Sequence, residues 1–85
     1  MKTYIAVIHR EKNNFGVSFP DFPGCVTATN KISEIRELTL DVLQLHIEEM
    51  GCDSEKIPEP TKFEQISKKY INEDVFYITV HIDLF

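Results

Sequence analysis

Two cysteines, three histidines and fourteen acidic residues are the groups in this 85-residue chain that could do chemistry. Cys25 with His9 or His81 would make a nucleophile and its base, given an orienting group and an oxyanion hole. No local signature supports that pairing. After Pro23-Gly24, Cys25 reads as a small residue packed at the start of a strand. Structural zinc needs close pairs of ligands, and His9, His46, His81, Cys25 and Cys52 do not supply them. The glycines at 16, 24 and 51 stand alone, so no loop is built to cradle phosphate. Lys12 and Lys68-Lys69 do not form a basic patch with aromatic platforms. No catalytic residue, metal ligand or cofactor is expected, and the chain reads as a binding module.

The carboxylates are the more informative groups. The formal net charge is −5. That balance disfavours nucleic acid as a direct ligand, because phosphate binding relies on Lys and Arg. It favours a basic protein. Glu34, Glu37, Asp41 and Glu48 gather on one side of a helical pattern with Ser33 and Gln44. They form either a solvated face or an electrostatic surface for a basic partner.

The element that positions them runs from Ser33 to Met50. At about 100° per residue, Ile35, Leu38, Val42 and Leu45 share a face, widened by Ile32, Thr39, His46 and Met50. Leu40, Leu43 and Ile47 form a second apolar edge for a flanking segment or a partner. His46 is expected to be buried and hydrogen-bonded. Asn30 or Ser33 is expected to cap the start, and Gly51 to close the end with positive φ.

Ahead of the helix, Thr3 to His9 is apolar on both faces, as a central strand should be. A polar turn at Glu11 to Asn14 leads into a second strand, Phe15 to Phe19, paired as a hairpin. Gly16 suggests a bulge or a close approach. Pro20 to Cys25 is a tight loop with a type II turn at Pro23-Gly24. Val26 to Thr29 is a third strand. After the helix, Thr61 to Tyr70 carries Phe63, Ile66 and Tyr70 at helical spacing, with Thr61 and Glu64 as a capping box. Val75 to Ile82 alternates cleanly and is the last strand. The order is βββα(α)β. A helical crossover usually returns the chain parallel to a strand of the same sheet, and the first strand is the best neighbour. That predicts strand order 3-2-1-4, with the last strand parallel to the first and one long helix on one face. The fold class is α+β, a partial ribonuclease H-like sheet. Nucleases of that kind need clustered carboxylates, one of them on the first strand. This first strand has none.

Tyr4-Ile5-Ala6-Val7-Ile8 followed by Phe15-Gly16-Val17-Ser18-Phe19-Pro20-Asp21-Phe22-Pro23-Gly24-Cys25-Val26-Thr27-Ala28 resembles the HicB family of antitoxins. Leu43 to Glu48 and Ile57 to Pro60 resemble it in the same order, and Tyr77 to Leu84 follows more loosely. The resemblance implies a partial ribonuclease H-like domain without nuclease activity, spanning residues 1–85 as one unit. It implies a partner, a small basic HicA-type toxin that cleaves mRNA, whose active site and RNA surface the antitoxin covers. Many members continue into a ribbon-helix-helix or helix-turn-helix domain that binds DNA. Here the sequence ends at Phe85, and no direct nucleic-acid binding is expected.

The expected contact residues are Asp21, Phe22, Glu34, Glu37, Asp41 and Glu48. For the loop Asp21 to Gly24, a structural role stands beside the binding role. With no secretory or membrane-spanning apolar run, the cytoplasm is the expected compartment, with reduced thiols. A homo-oligomer is expected, since so short a chain has a thin core. The alternative function is a homodimeric interaction domain, with no toxin, joined through an open sheet face.

Overall fold

The computed structural model describes residues 1–83; Leu84 and Phe85 lie outside the described residues. Strands β1 (Lys2–Arg10), β2 (Phe15–Ser18) and β3 (Val26–Thr29) precede a 3-10 turn (Ile32–Glu34) and helix α1 (Ile35–Cys52). Helix α2 (Phe63–Lys69) and strand β4 (Val75–Ile82) follow. The sheet order is β3-β2-β1-β4, as the sequence predicts.

The direction of β4 is not as predicted. It pairs with β1 antiparallel, from Lys2 opposite Ile82 to His9 opposite Val75. The parallel expectation counted one helical crossover, and the chain makes two. Helix α1 returns from the Arg10 end of β1 to the end beside Met1, where Gln44, Ile47 and Glu48 meet Ile82. The stretch 55–62 is anchored there: the Tyr4 hydroxyl donates to the Pro58 carbonyl at 2.6 Å, and Lys2 pairs with Glu59. Helix α2 then recrosses on the opposite face. The Arg10 amide donates to the Asp74 carbonyl at 3.0 Å, so β4 starts where β1 ends.

Both faces of β1 are buried, which is what its doubly apolar sequence requires. Tyr4, Ala6 and Ile8 join Val17, Phe19, Phe22, Cys25, Ile35, Leu43, Val80 and Ile82 in the main core under α1. Ile5 and Val7 pack with Ile66 of α2, flanked by Tyr70, Val75 and Tyr77. The face expected to be open for a homodimer thus carries α2. Beyond it, Thr3, Thr79 and His81 are exposed, polar positions.

The apolar stripe of α1 is rotated from its expected position. Ile35, Thr39 and Leu43 are fully buried, with Leu40, Val42, Ile47 and Met50 packed around them. Leu45 is 57% exposed. Spacing by four residues dominates, because the helix contacts the sheet along one line of its surface. The edge formed by Leu40, Leu43 and Ile47 is therefore core. Thr39 sits in the core without an unpaired hydroxyl, since its Oγ1 donates to the Ile35 carbonyl at 2.6 Å. His46 is half-buried, edge-on to Phe22 at 5.8 Å between ring centroids, rather than central in the core.

The helix ends also differ. Neither Asn30 nor Ser33 caps the start; Lys31 and Glu34 occupy the cap positions of the 3-10 turn and α1, without side-chain caps. Gly51 lies inside α1, which continues to Cys52. The left-handed residue is Ser54, with φ 57°. Its amide donates to the Gly51 carbonyl at 3.2 Å, and that of Glu55 to Met50 at 2.9 Å. That pair of bonds is a Schellman closure. Thr61 does not cap α2; Lys62 holds the cap position. At Gly16 the close approach is a side chain: an added Cβ would meet Glu11 Oε1 at 2.6 Å.

The rotated stripe is directly testable. Leu43→Ala removes a fully buried side chain and is expected to cost about 2–5 kcal/mol. Leu45→Ala, at a mostly exposed position, is expected to cost less than about 1 kcal/mol. Urea titrations followed by circular dichroism measure both, and equal losses would contradict the packing described.

Candidate partner-binding site

The loop Pro20 to Cys25 is two consecutive turns. The Phe22 amide donates to the Phe19 carbonyl at 3.0 Å, and the Cys25 amide to the Phe22 carbonyl at 3.0 Å. Pro23 and Gly24 form the centre of the second turn, and Gly24 takes φ 88°, as a type II turn requires. The turns bring every third side chain inward. Phe19, Phe22 and Cys25 are each no more than 3% exposed. Phe22 packs edge-on against Tyr4 at 4.8 Å and Phe19 at 6.4 Å. Phe22 is thus a core residue, which corrects its assignment as a partner contact.

Asp21 points the other way and is half-buried. Its Oδ2 accepts the Thr61 amide at 2.9 Å and its Oδ1 accepts the Thr61 hydroxyl. The carboxylate ties the loop to the segment entering α2. Thr61 is spent on this tie, which is why it does not cap the helix.

Cys25 has its Sγ 3.8 Å from the Val42 carbonyl, on the α1 side of the sheet. His9 and His81 belong to the other face, with His9 3.1 Å from Ser18 Oγ and His81 2.8 Å from Thr3 Oγ1. The sheet separates the cysteine from both histidines. Burial pushes the Cys25 thiol up to about 11, so it is a packing group at neutral pH. Among the described residues, no three His, Cys, Asp or Glu side chains come together as a metal site.

The remaining acidic residues are brought together. Glu34, Glu37, Asp41 and Glu48 are all exposed, on the side of the helix opposite Ile35, Thr39 and Leu43. Glu34, Glu37 and Asp41 line one shallow hollow of about 230 Å³ with Leu38. Glu34 is partly engaged, 3.8 Å from Lys31 Nζ and 3.4 Å from the Thr29 hydroxyl. Glu48 lies further along, in a hollow of about 540 Å³ with Gln44, His81, Ile82 and Asp83. Sequence reasoning passed over Arg36, the one Lys or Arg within α1. It lines a third hollow, of about 200 Å³, with Leu40 and the β4 residues Ile78 to His81. Its signal was its isolation among carboxylates. No helix among the described residues is long and apolar enough to cross a membrane.

Asp21 is expected to act in folding. Asp21→Ala leaves the Thr61 donors unpaired and is expected to lower stability by about 1–3 kcal/mol. Glu37→Ala, at an exposed position, is expected to change it by less than about 0.5 kcal/mol. Urea denaturation of both variants checks the division.

One chain of the HicA3 and HicB3 toxin-antitoxin complex superposes with a TM-score of 0.77 at 25% identity, covering 96% of this chain and 99% of that one. The Burkholderia pseudomallei antitoxin HicB shares the fold, with a TM-score of 0.84 at 21% identity over 99% of this chain and 65% of its own. A 14.9 kDa protein of the rep-hol intergenic region of Haemophilus phage HP1 is 31% identical over 81 residues. Those residues are 95% of this chain, which spans 61% of the phage protein's length. The model of the HicB-like antitoxin of bacterial toxin-antitoxin systems matches residues 4–85. With the motif at Phe19 to Cys25 built into its core, the chain belongs to the HicB-like antitoxin family.

Proposed function

We propose that this domain neutralises a small basic HicA-type mRNA interferase by binding over its active site and RNA surface. The observation that carries the reading is the acidic back of α1. Glu34, Glu37, Asp41 and Glu48 share one exposed side of a helix whose other side is locked into the core. A toxin that grips RNA must present Lys and Arg to phosphate. An acidic surface competes for that same basic patch, steers the encounter and fixes its orientation. The likeness to a chain of the HicA3 and HicB3 complex supports the choice of partner.

The role asks for no catalysis. The domain needs only a rigid helix that presents charge, and an mRNA-cleaving partner places the encounter in the cytoplasm. Asp21 supports the surface indirectly, by fixing the loop beside α1.

Reversing two charges in the middle of the stripe tests the reading. Glu37→Lys with Asp41→Lys is expected to weaken toxin binding by about 1.4 kcal/mol or more, about tenfold in Kd. The salt dependence of binding should fall and the circular dichroism spectrum should be unchanged. Isothermal titration against a small basic HicA-type toxin is the measurement. Unchanged affinity in both low and high salt would overturn the acidic stripe as the interface.

A further inference from the structure

Strand β4 is an edge of the sheet, eight residues long, with β1 on its inner side and no strand on its outer side among the described residues. A long free edge is a template for another strand. Beside it runs a groove made of two hollows, one lined by Arg36 and Leu40 and the other by Gln44, Ile47 and Glu48 of α1. Strand β4 supplies the other wall, from Ile78 to Ile82, and Asp83 follows it. The opposite edge, β3, is only four residues long.

We propose that the β4 edge and this groove form a self-association surface, joining two copies of the chain about a twofold axis near Val80. The charge pattern selects a second copy as the occupant. Arg36 shares its hollow with Ile78 to His81, while Glu48 and Asp83 share theirs with His81 and Ile82. Met1 also lines that end, and its α-amino group offsets one of the two carboxylates, so the groove carries Arg36 at one end and one net negative charge at the other. A twofold axis reverses one copy against the other, so such a surface is complementary to itself. Antiparallel pairing centred on Val80 sets Ile78 against Ile82 of the second copy. It also brings Arg36 of each copy towards Glu48 and Asp83 of the other. Leu40 then meets Gln44 along the same line. A uniformly basic partner fits this groove poorly, because Arg36 opposes it, and fits the acidic stripe well.

Pairing would satisfy the outward backbone groups of β4 in both copies and extend the sheet across the axis. It would also add apolar contact to a chain whose own core is thin.

The test is a charge exchange, read by sedimentation velocity of the full chain alone at tens of micromolar. The native chain is expected to dimerise. Arg36→Glu and Glu48→Arg are each expected to weaken dimerisation about tenfold or more, because each sets like charges together. Carrying both, R36E with E48R, is expected to restore dimerisation. Both positions are exposed, and circular dichroism confirms folding of each variant. A monomeric native chain would overturn the proposal. So would single variants that dimerise as well as the native chain, or a double variant as weak as either single one. No toxin enters the measurement, so its outcome is independent of the binding role.

Discussion

Strand β1 has to be covered twice. Tyr4, Ala6 and Ile8 face one way and Ile5 and Val7 the other, and all five are 8% exposed or less. Fully burying a side chain such as Ile5, Val7 or Ile8 is worth roughly 1.5–3 kcal/mol, so leaving either face in water would forfeit a few. A single helix can cover only one face. The second crossover meets this constraint, with Ile66 placed over Ile5 and Val7. The antiparallel direction of β4 follows, since two crossings bring the chain back to the end of β1 from which the first began. Topology here is a consequence of one strand's two-sided composition.

The same reasoning explains what was legible in the sequence. Strand positions, their order and both helices follow from alternation, helical spacing and turn residues, which are local signals. The direction of β4 is not local. It depended on whether Phe63, Ile66 and Tyr70 formed a helix that recrosses the sheet, and the parallel expectation gave that helix no crossing of its own. The rotation of the α1 stripe is not a local signal either. Ile35, Leu38, Val42 and Leu45 satisfy helical spacing as well as Ile35, Thr39, Leu43 and Ile47 do. Hydropathy favours the first set because Thr39 is polar. The fold chooses the second, because Thr39 can return its hydroxyl proton to Ile35 within the helix.

The loop shows how a motif can mislead about function. Phe-Pro-Asp-Phe-Pro-Gly-Cys is distinctive enough to carry the family resemblance, and an exposed Phe22 beside Asp21 would suit a binding loop. Two linked turns instead drive Phe19, Phe22 and Cys25 inward and leave Asp21 to hold Thr61. Each residue of the motif has a backbone or core task, and its specificity is that of a tight fold. The acidic residues of α1 carry no such burden. Glu37 and Asp41 are exposed on a helix already secured by its other side. Freedom from structural work makes them the stronger candidates for recognition.

Helix α1 thus divides its circumference among three tasks. Ile35, Thr39 and Leu43 belong to the core, Glu34, Glu37 and Asp41 to the acidic back, and Arg36, Leu40 and Gln44 to the flank beside β4. At about 100° per residue, that flank lies roughly a quarter turn from the acidic back. Two copies joined at their β4 edges would keep Glu37 and Asp41 outside the seam. Each copy would then present its own acidic stripe. Glu48 stands at the border, since it lies on the acidic side and also lines the groove with Asp83. Its charge would be drawn towards Arg36 of the second copy, leaving Glu34, Glu37 and Asp41 to bear the attraction for a basic partner. On this arrangement Glu48 would be shared between the two surfaces, while Glu34, Glu37 and Asp41 would remain outside the seam.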